Sequence, residues 1–561
     1  MSRRHLPRRG LFTPLIIALT LSLGVAHAAP VDDTARRLME YVPADTPYAF
    51  VGLESFPEAI TKKMTQAVQP TLDQLKTQMA ELEKTPGQSK GDRVIQAVVQ
   101  EMFANVDDAM NIFGMGPDSR MVIYGLGFLP AARITLKDPK RLQSFIGKVE
   151  KRSEVKFDRK QFDSVSYYSF GDAELQVALA IINNDLVIGA SPTSMTEEVW
   201  PQLFGLRKPL KTTLNQSGKI DDLIKRHNLN SFAVGFLDHK AIAQLLMGDN
   251  TGLGQKMATA LGYKVKLDAT CKAEVYSLVD YAPRSIIDYR IIGEQEIRSD
   301  LLFETEAALT HDLAGLTTRV PGLGGAQKSH LGEMAFALDV NGMFDLLGRR
   351  AKAAAAKPFT CPDLQGLNEM ATNLSRDLGN GTPAPAAAFA KGFRGLHAVI
   401  EDGRMTKDKS FEAKGFVHLS HDTPMTFMGI LGIALPALGQ AGLTDDGKVV
   451  DVKLPKSQSS KMDFSAVSAV AVRGKGMVVG SGKGMKGRIT GVLDAPAPGP
   501  APVFLFNYDA GRFLKLIGDT LPPDATEREA MESLLSVFGA TGYGVYFTDR
   551  GPMIRSTIFL R

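Results

Sequence analysis

Four segments of this 561-residue chain share one form: a short apolar strand that ends in an acid and runs into an amphipathic helix. They are 48–54 (YAFVGLE), 232–238 (FAVGFLD), 334–339 (MAFALD) and 503–509 (VFLFNYD), closing on Glu54, Asp238, Asp339 and Asp509. After the last three acids a Leu or Ile falls at the same spacing (Leu246, Leu347, Ile517), followed by Gly248, Gly348 and Gly518. Glycine there suits the left-handed residue that ends many helices, so each is expected to close its helix. A second correspondence sets 178–189 against 469–480 without gaps. Both read as hairpins, with turn residues at Asn183-Asn184-Asp185 and Gly474-Lys475-Gly476. A third sets Val275-Tyr276, Pro283 and Ile286-Ile287 against Val545-Tyr546, Pro552 and Ile554.

The shifts are 285 (Glu54 to Asp339), 291 (Ala178 to Ala469), 271 (Asp238 to Asp509) and 270 (Val275 to Val545). Similar offsets in one chain order predict two tandem copies, at 45–325 and 330–561, joined by the Gly/Pro-rich 320–326. Most apolar runs alternate and are bounded by turn residues, as in 304–309 and 411–419, while 57–113 carries a helical spacing through Met64, Val68, Leu72, Leu75, Met79 and Leu82. Segments 379–388 and 494–502 read as loops. The expected fold class is α+β, a tandem duplication of antiparallel sheets with helices packed on one face.

At the N-terminus, Arg3, Arg4, Arg8 and Arg9 precede an apolar stretch (11–25) and the small residues Ala26, Ala28 and Ala29. That layout predicts a secretory signal peptide over 1–28, cleaved between Ala28 and Ala29. The stretch falls short of the ~20 apolar residues that span a bilayer, and Pro14 interrupts it. The arginine pairs leave a twin-arginine route open, although ordinary secretion is expected because no large cofactor motif follows. Those four arginines are the only charged side chains before Asp32; removing them takes Lys+Arg from 65 to 61, equal to Asp+Glu at 61. A formally neutral chain has no excess charge for binding nucleic acid. Export to the periplasm or beyond places the two cysteines, Cys271 and Cys361, in an oxidising space, where a disulfide is expected and two buried thiols are the alternative.

The 42–46 segment (VPADT), the strand-acid-helix units and the hairpin strands 186–189 (LVIG) and 477–480 (MVVG) resemble a bacterial family of exported proteins known only as a domain of unknown function. The resemblance implies export and the fold class, and transfers no catalytic residue.

Among the polar residues, the four acids suit helix capping better than a ligand site, because a carboxylate there accepts hydrogen bonds from free N–H groups. Thr310-His311-Asp312 and Ser420-His421-Asp422 recur as expected strand ends, making His311, Asp312, His421 and Asp422 the polar candidates for orienting a base or holding a metal. The glycine-rich 480–487 (GSGKGMKG) lacks the Ser or Thr that a phosphate loop needs after Lys483, and reads as a turn. Hydrolase motifs are absent, and Ser459, Ser460 and Lys461 read as a polar loop. Apolar 313–323 and 425–438 suit either a buried helix or a groove for lipid or peptide. No cofactor or metal is expected. The functional expectation is a non-enzymatic binding or scaffold protein of the cell envelope, whose ligand is hydrophobic or another envelope protein. The alternative is an envelope hydrolase of non-standard type that uses carboxylates or the histidines His311 and His421.

Overall fold

The computed structural model describes residues 31–561 except 56, 58–59, 61–62, 64–89, 104–112, 117, 208–211, 230–231, 264–265, 294, 324–329, 380–391, 406–410, 435, 454–461, 464–467, 498–500 and 519–537. The leader with Ala28 and Ala29, the spacing from Met64 to Leu82, most of the 379–388 loop and the Ser459-Ser460-Lys461 loop lie outside the described residues. What is described is a mixed fold of helices and antiparallel sheet, as expected. Among the described residues no helix is long and apolar enough to cross a membrane.

The chain divides into two compact units. One takes Met1–Leu237, Asn250–Tyr263 and Ile287–Arg298; the other takes Asp238–Asp249, Lys264–Ile286 and Ser299–Arg561. The first unit holds β1 (Tyr48–Gly52), β2 (Met121–Leu126), β3 (Leu129–Thr135), β4 (Asp158–Phe162), β5 (Val165–Gly171), β6 (Leu175–Ile182) and β7 (Asp185–Pro192), together with most of β8 (Ala233–Asp238). Its strands pair antiparallel in the order β8-β1-β2-β3-β7-β6-β5-β4. Strands β9 (Arg284–Ile292) and β10 (Glu296–Glu304) pair with each other. The second unit holds β11 (Gly332–Phe336), β12 (Phe393–Met405), β13 (Phe411–His421), β14 (Val450–Val452), β15 (Met462–Asp463), β16 (Ser468–Arg473), β17 (Gly476–Ser481), β18 (Phe504–Asp509), β19 (Phe538–Thr548) and β20 (Gly551–Leu560). Its antiparallel order is β20-β19-β18-β11-β12-β13-β17-β16-β14, with the two-residue β15 parallel to β13.

The β6–β7 and β16–β17 hairpins form as their turn chemistry predicts. Asn183 and Asn184 sit at φ 50° and 63°, and Gly474 at 59°, the positive values that a two-residue turn with the native strand twist requires. Ala178 pairs with Gly189 and Ala469 with Gly480.

Helices cover both faces of the first unit's sheet rather than one. Helices Lys90–Phe103 and Pro139–Ser153 bring Val94, Ala97, Leu142, Phe145, Ile146 and Val149 onto Met121, Ile134, Leu136 and Leu186. The opposite face receives the helix Thr196–Phe204, whose Leu203 lies against Gly189 and whose Trp200 and Phe204 stack with ring centroids 5.9 Å apart. The run 121–126 (MVIYGL) is continuous rather than alternating, which is the pattern of a strand buried on both sides. In the second unit, Phe427 and Met428 of the helix Pro424–Ala434 pack on Leu419, Val470, Val472 and Met477, while Ile489 packs on Ala469, Ala471 and Val478 of the other face.

Four local expectations are corrected. Gly348 lies inside the helix Val340–Ala356, which the alanine-rich tail beyond it sustains despite glycine's cost of ~1 kcal/mol. Thr310, His311 and Asp312 belong to the helix Ala307–Ala314, because β10 already ends at Glu304 and the good helix formers Ala307 and Ala308 start a new element. Val275 and Tyr276 are helical, in Ala269–Tyr281, whereas Val545 and Tyr546 lie in β19, so the third correspondence pairs unlike elements. The ladder also slips the first correspondence by one residue. Phe50 faces Gly235 and Met334 faces Phe506, so with Asp238 set against Asp509 the partner of Asp339 is Ser55 rather than Glu54.

Candidate functional site

Three of the four strand-end acids cap helices. Asp238 Oδ1 accepts from Ala241 N at 3.0 Å, Asp339 Oδ1 from Gly342 N at 3.0 Å and Asp509 Oδ1 from Arg512 N at 2.9 Å. Glu54 is buried just beyond β1.

His311 is exposed on its helix, and Asp312 pairs with Arg350 at 3.0 Å. His421 is buried, stacked 5.2 Å from Phe427, with Nδ1 accepting from Thr423 N at 3.0 Å. Asp422 meets Arg394 at 2.7 Å and Lys475 at 2.9 Å, and hydrogen bonds from those cations hold its carboxyl down at about 2. Asp312 and Asp422 therefore serve different ion-pair networks. Among the described residues no group of three or more His, Cys, Asp or Glu is arranged to hold a metal. The glycine-rich turn drives Met485 into the core against Gly480 and ties Lys486 to Asp451 at 2.6 Å.

A more concentrated polar group lies on the second unit's sheet. Alternation along β11, β12, β13 and β18 sends Glu333, His397, His418 and Asn507 to the same face as Ala335 and Leu505, where all four are largely buried. His397 Nε2 lies 2.8 Å from Glu333 Oε1, and Asn507 Nδ2 donates to Glu333 Oε2 at 2.9 Å. Burial alone raises a carboxyl group's pKa, but the bonds from His397 and Asn507 and the nearby His397 and His330 charges outweigh it and lower Glu333 below its ordinary value. His418 stands directly across from His397 on the neighbouring strand. Burial first, then the His397 charge, push it down to about 4. Beside this group is a cavity of about 270 Å³, lined by His330, Glu333, Asn507, Asp509, Phe559 and Arg561 among others. Arg561 Nη2 donates to Asp509 Oδ1 at 2.8 Å.

A second constellation joins positions 46 residues apart. Ser285 Oγ lies 3.0 Å from His239 Nε2, and His239 Nδ1 lies 2.6 Å from the Ala282 carbonyl. The carbonyl only accepts, so Nδ1 carries the proton and Nε2 is left to accept from Ser285. No sequence motif announced this pair.

Part of the opposite face of the same sheet is uncovered among the described residues. Tyr543, Phe506, Met334, Ala398 and Val417 form one cross-strand row, in which Tyr543 is 52%, Met334 46% and Phe506 42% exposed. Phe504 and Ile554 extend it, also exposed. The helix Pro424–Ala434 lies on this face farther along, and its Ile433 is 84% exposed.

Comparison of the chain with protein-family models, with characterised proteins and with solved structures finds no match.

Proposed function

We propose that this chain is an exported binding or scaffold protein of the cell envelope, built from two copies of one α+β unit, whose second copy holds a hydrophobic ligand or the apolar surface of another envelope protein. Export rests on the leader over 1–28 with its Ala28–Ala29 junction, and the Cys271–Cys361 pair at bonding distance (2.09 Å) suits an oxidising space. The resemblance to exported proteins of unknown function belongs to this reading. Duplication is supported by strand order, since β8-β1-β2-β3-β7-β6 in the first unit has the same succession as β18-β11-β12-β13-β17-β16 in the second. The 45–325 and 330–561 limits are the proposed copy boundaries.

One contrast carries the binding reading. In the first unit Phe50 and Ile123 pack against the cluster built by helices Lys90–Phe103 and Pro139–Ser153. Met334 and Ala398, at the same register in the second unit, belong to the open row. Exposed apolar area this contiguous marks an interaction surface more often than a solvated one. Purification of the native protein from the periplasm, with mass spectrometry of lipids and proteins that accompany it, tests the reading. A retained species is expected, and Phe506→Ser with Tyr543→Ser should weaken its retention tenfold or more, as for anchor residues at an interface. A clean apo monomer, or retention indifferent to the two changes, counts against it.

A second reading, a hydrolase that uses Ser285 and His239 rather than the carboxylates or His311 and His421 expected from the sequence, is favoured by one observation: the pair has a nucleophile, a base and an orienting group within hydrogen-bond reach. In that reading Ser285 Oγ attacks an ester carbonyl as its proton passes to His239 Nε2. The imidazolium then protonates the leaving alkoxide, and water repeats the sequence to release the acid. A fluorophosphonate probe should label Ser285, with labelling about a hundredfold slower in His239→Gln. An unlabelled Ser285 removes this alternative.

A further inference from the structure

We infer that the cavity beside Glu333 and Arg561 binds a small zwitterion, an amino acid or dipeptide whose ammonium group meets Glu333 and whose carboxylate meets Arg561. This site is distinct from the open apolar row: Glu333 and Asn507 alternate with Met334 and Phe506 along β11 and β18, and so project from the other face of the sheet.

Three observations lead there. The first is that the fold does not require these polar groups. With the two ladders superposed by register, Glu333 falls on Ala49, His397 on Val122 and Asn507 on Phe236, all buried and apolar in the first unit. Only Asp509 keeps its counterpart, Asp238, and both are helix caps. Burying a carboxylate, an imidazole and an amide where the same architecture accepts Ala, Val and Phe costs stability, which a purely structural role leaves unexplained.

The second is the balance of charge in the lining. Glu333 and Asp509 supply two acids, and Arg561 a permanent cation, with His330 beside it as a titratable base. Each Glu333 oxygen takes one bond, from His397 or Asn507, and a carboxylate oxygen has room for a second donor. Arg561 gives one N–H to Asp509, and a guanidinium carries five. The lining therefore offers both an acceptor for an ammonium and a fork for a carboxylate, and it includes the apolar Phe559. A ligand of single charge would use half of it.

The third is size. About 270 Å³ lies just below the ~300–1,000 Å³ range of drug-sized sites and suits a molecule of one or two amino-acid residues.

Calorimetry on the full mature chain with L-alanyl-L-alanine, its N-acetyl form and its C-terminal amide tests the inference. The free dipeptide is expected to bind, and each blocked form to bind at least tenfold more weakly. Arg561→Gln, a change at a side chain that is 44% exposed, should weaken the dipeptide and the amide to a similar level. Glu333→Gln should weaken the dipeptide and the acetyl form likewise. No heat from the dipeptide up to about 10 mM, well above a millimolar Kd, overturns the inference. So does equal binding of the three forms, or an Arg561→Gln protein that binds as the parent does. Circular dichroism of both variants distinguishes a lost site from a lost fold.

Discussion

Replacing Cys361 with Ser is expected to lower the unfolding free energy of the second unit by about 4 to 5 kcal/mol, the loop-closure entropy released when a 90-residue separation is no longer cross-linked. Cys271 is the third residue of the helix Ala269–Tyr281, and Cys361 lies 4.8 Å from it between Cα atoms; both are buried and both belong to the second unit. The bond is not the sole tie between these segments. Glu274, one turn along the same helix, accepts from the N–H groups of Thr360 and Cys361 at 2.7 and 2.9 Å, and those bonds hold its carboxyl below the ordinary value. The native contact should therefore survive the substitution, leaving the unfolded chain as the state that changes. Urea unfolding followed by circular dichroism, compared between the parent, Cys361→Ser and the parent in reductant, measures the effect. The last two should agree. The single tryptophan, Trp200, is buried in the first unit and follows that unit separately. A loss under about 1 kcal/mol would mean that the unfolded chain is already compact enough to gain nothing from the link.

Legibility in the sequence followed the range over which each signal acts. Turn chemistry is local, and Asn183-Asn184 and Gly474-Lys475 placed two hairpins at the correct register. Capping is local too, and Asp238, Asp339 and Asp509 perform it. Where several elements compete for the same few residues, local pattern was insufficient. Gly348 looked like a stop, yet the helix formers beyond it continue the helix. The one-residue slip that separates Glu54 from Asp339 is invisible without the ladder, because side-chain direction reverses at each step and only a partner strand settles the phase. The buried polar group did leave a trace: Asn507 and His418 interrupt the otherwise apolar runs 503–508 and 416–419, and a buried polar residue is more informative than an exposed apolar one. That Glu333, His397 and Asn507 converge is a property of the order β18-β11-β12, three strands drawn from widely separated parts of the chain. The His239–Ser285 pair left no trace at all, since neither residue type nor spacing departs from ordinary composition.

Between pH 6.5 and about 4 the second unit is expected to lose roughly 3 kcal/mol of stability through one group, His418, which burial and the His397 charge push down to about 4. The sign follows from the proton count. In the unfolded chain His418 titrates near its ordinary value of 6.5, so in this interval the unfolded state holds a proton that the native state refuses. Stability is then full above pH 6.5, falls as the pH is lowered, and levels off once the native imidazole also charges. The groups that face it from the packed elements do not relieve the cost. His397 across the ladder is engaged with one Glu333 oxygen, Asn507 donates to the other, and the Pro321 carbonyl works in the opposite direction. Glu333 acts elsewhere on the pH scale, because a lowered carboxyl surrenders its stabilisation only below the ordinary glutamate value. Urea titrations at pH 7.5, 5.5 and 4.5 on the parent and on His418→Gln separate the terms. The amide keeps a polar side chain of similar length and cannot titrate, so the variant's stability should be nearly flat across the interval. A variant that loses as much as the parent would assign the proton to another group, and a parent that is itself flat would mean that water or a local opening reaches His418 in the native state.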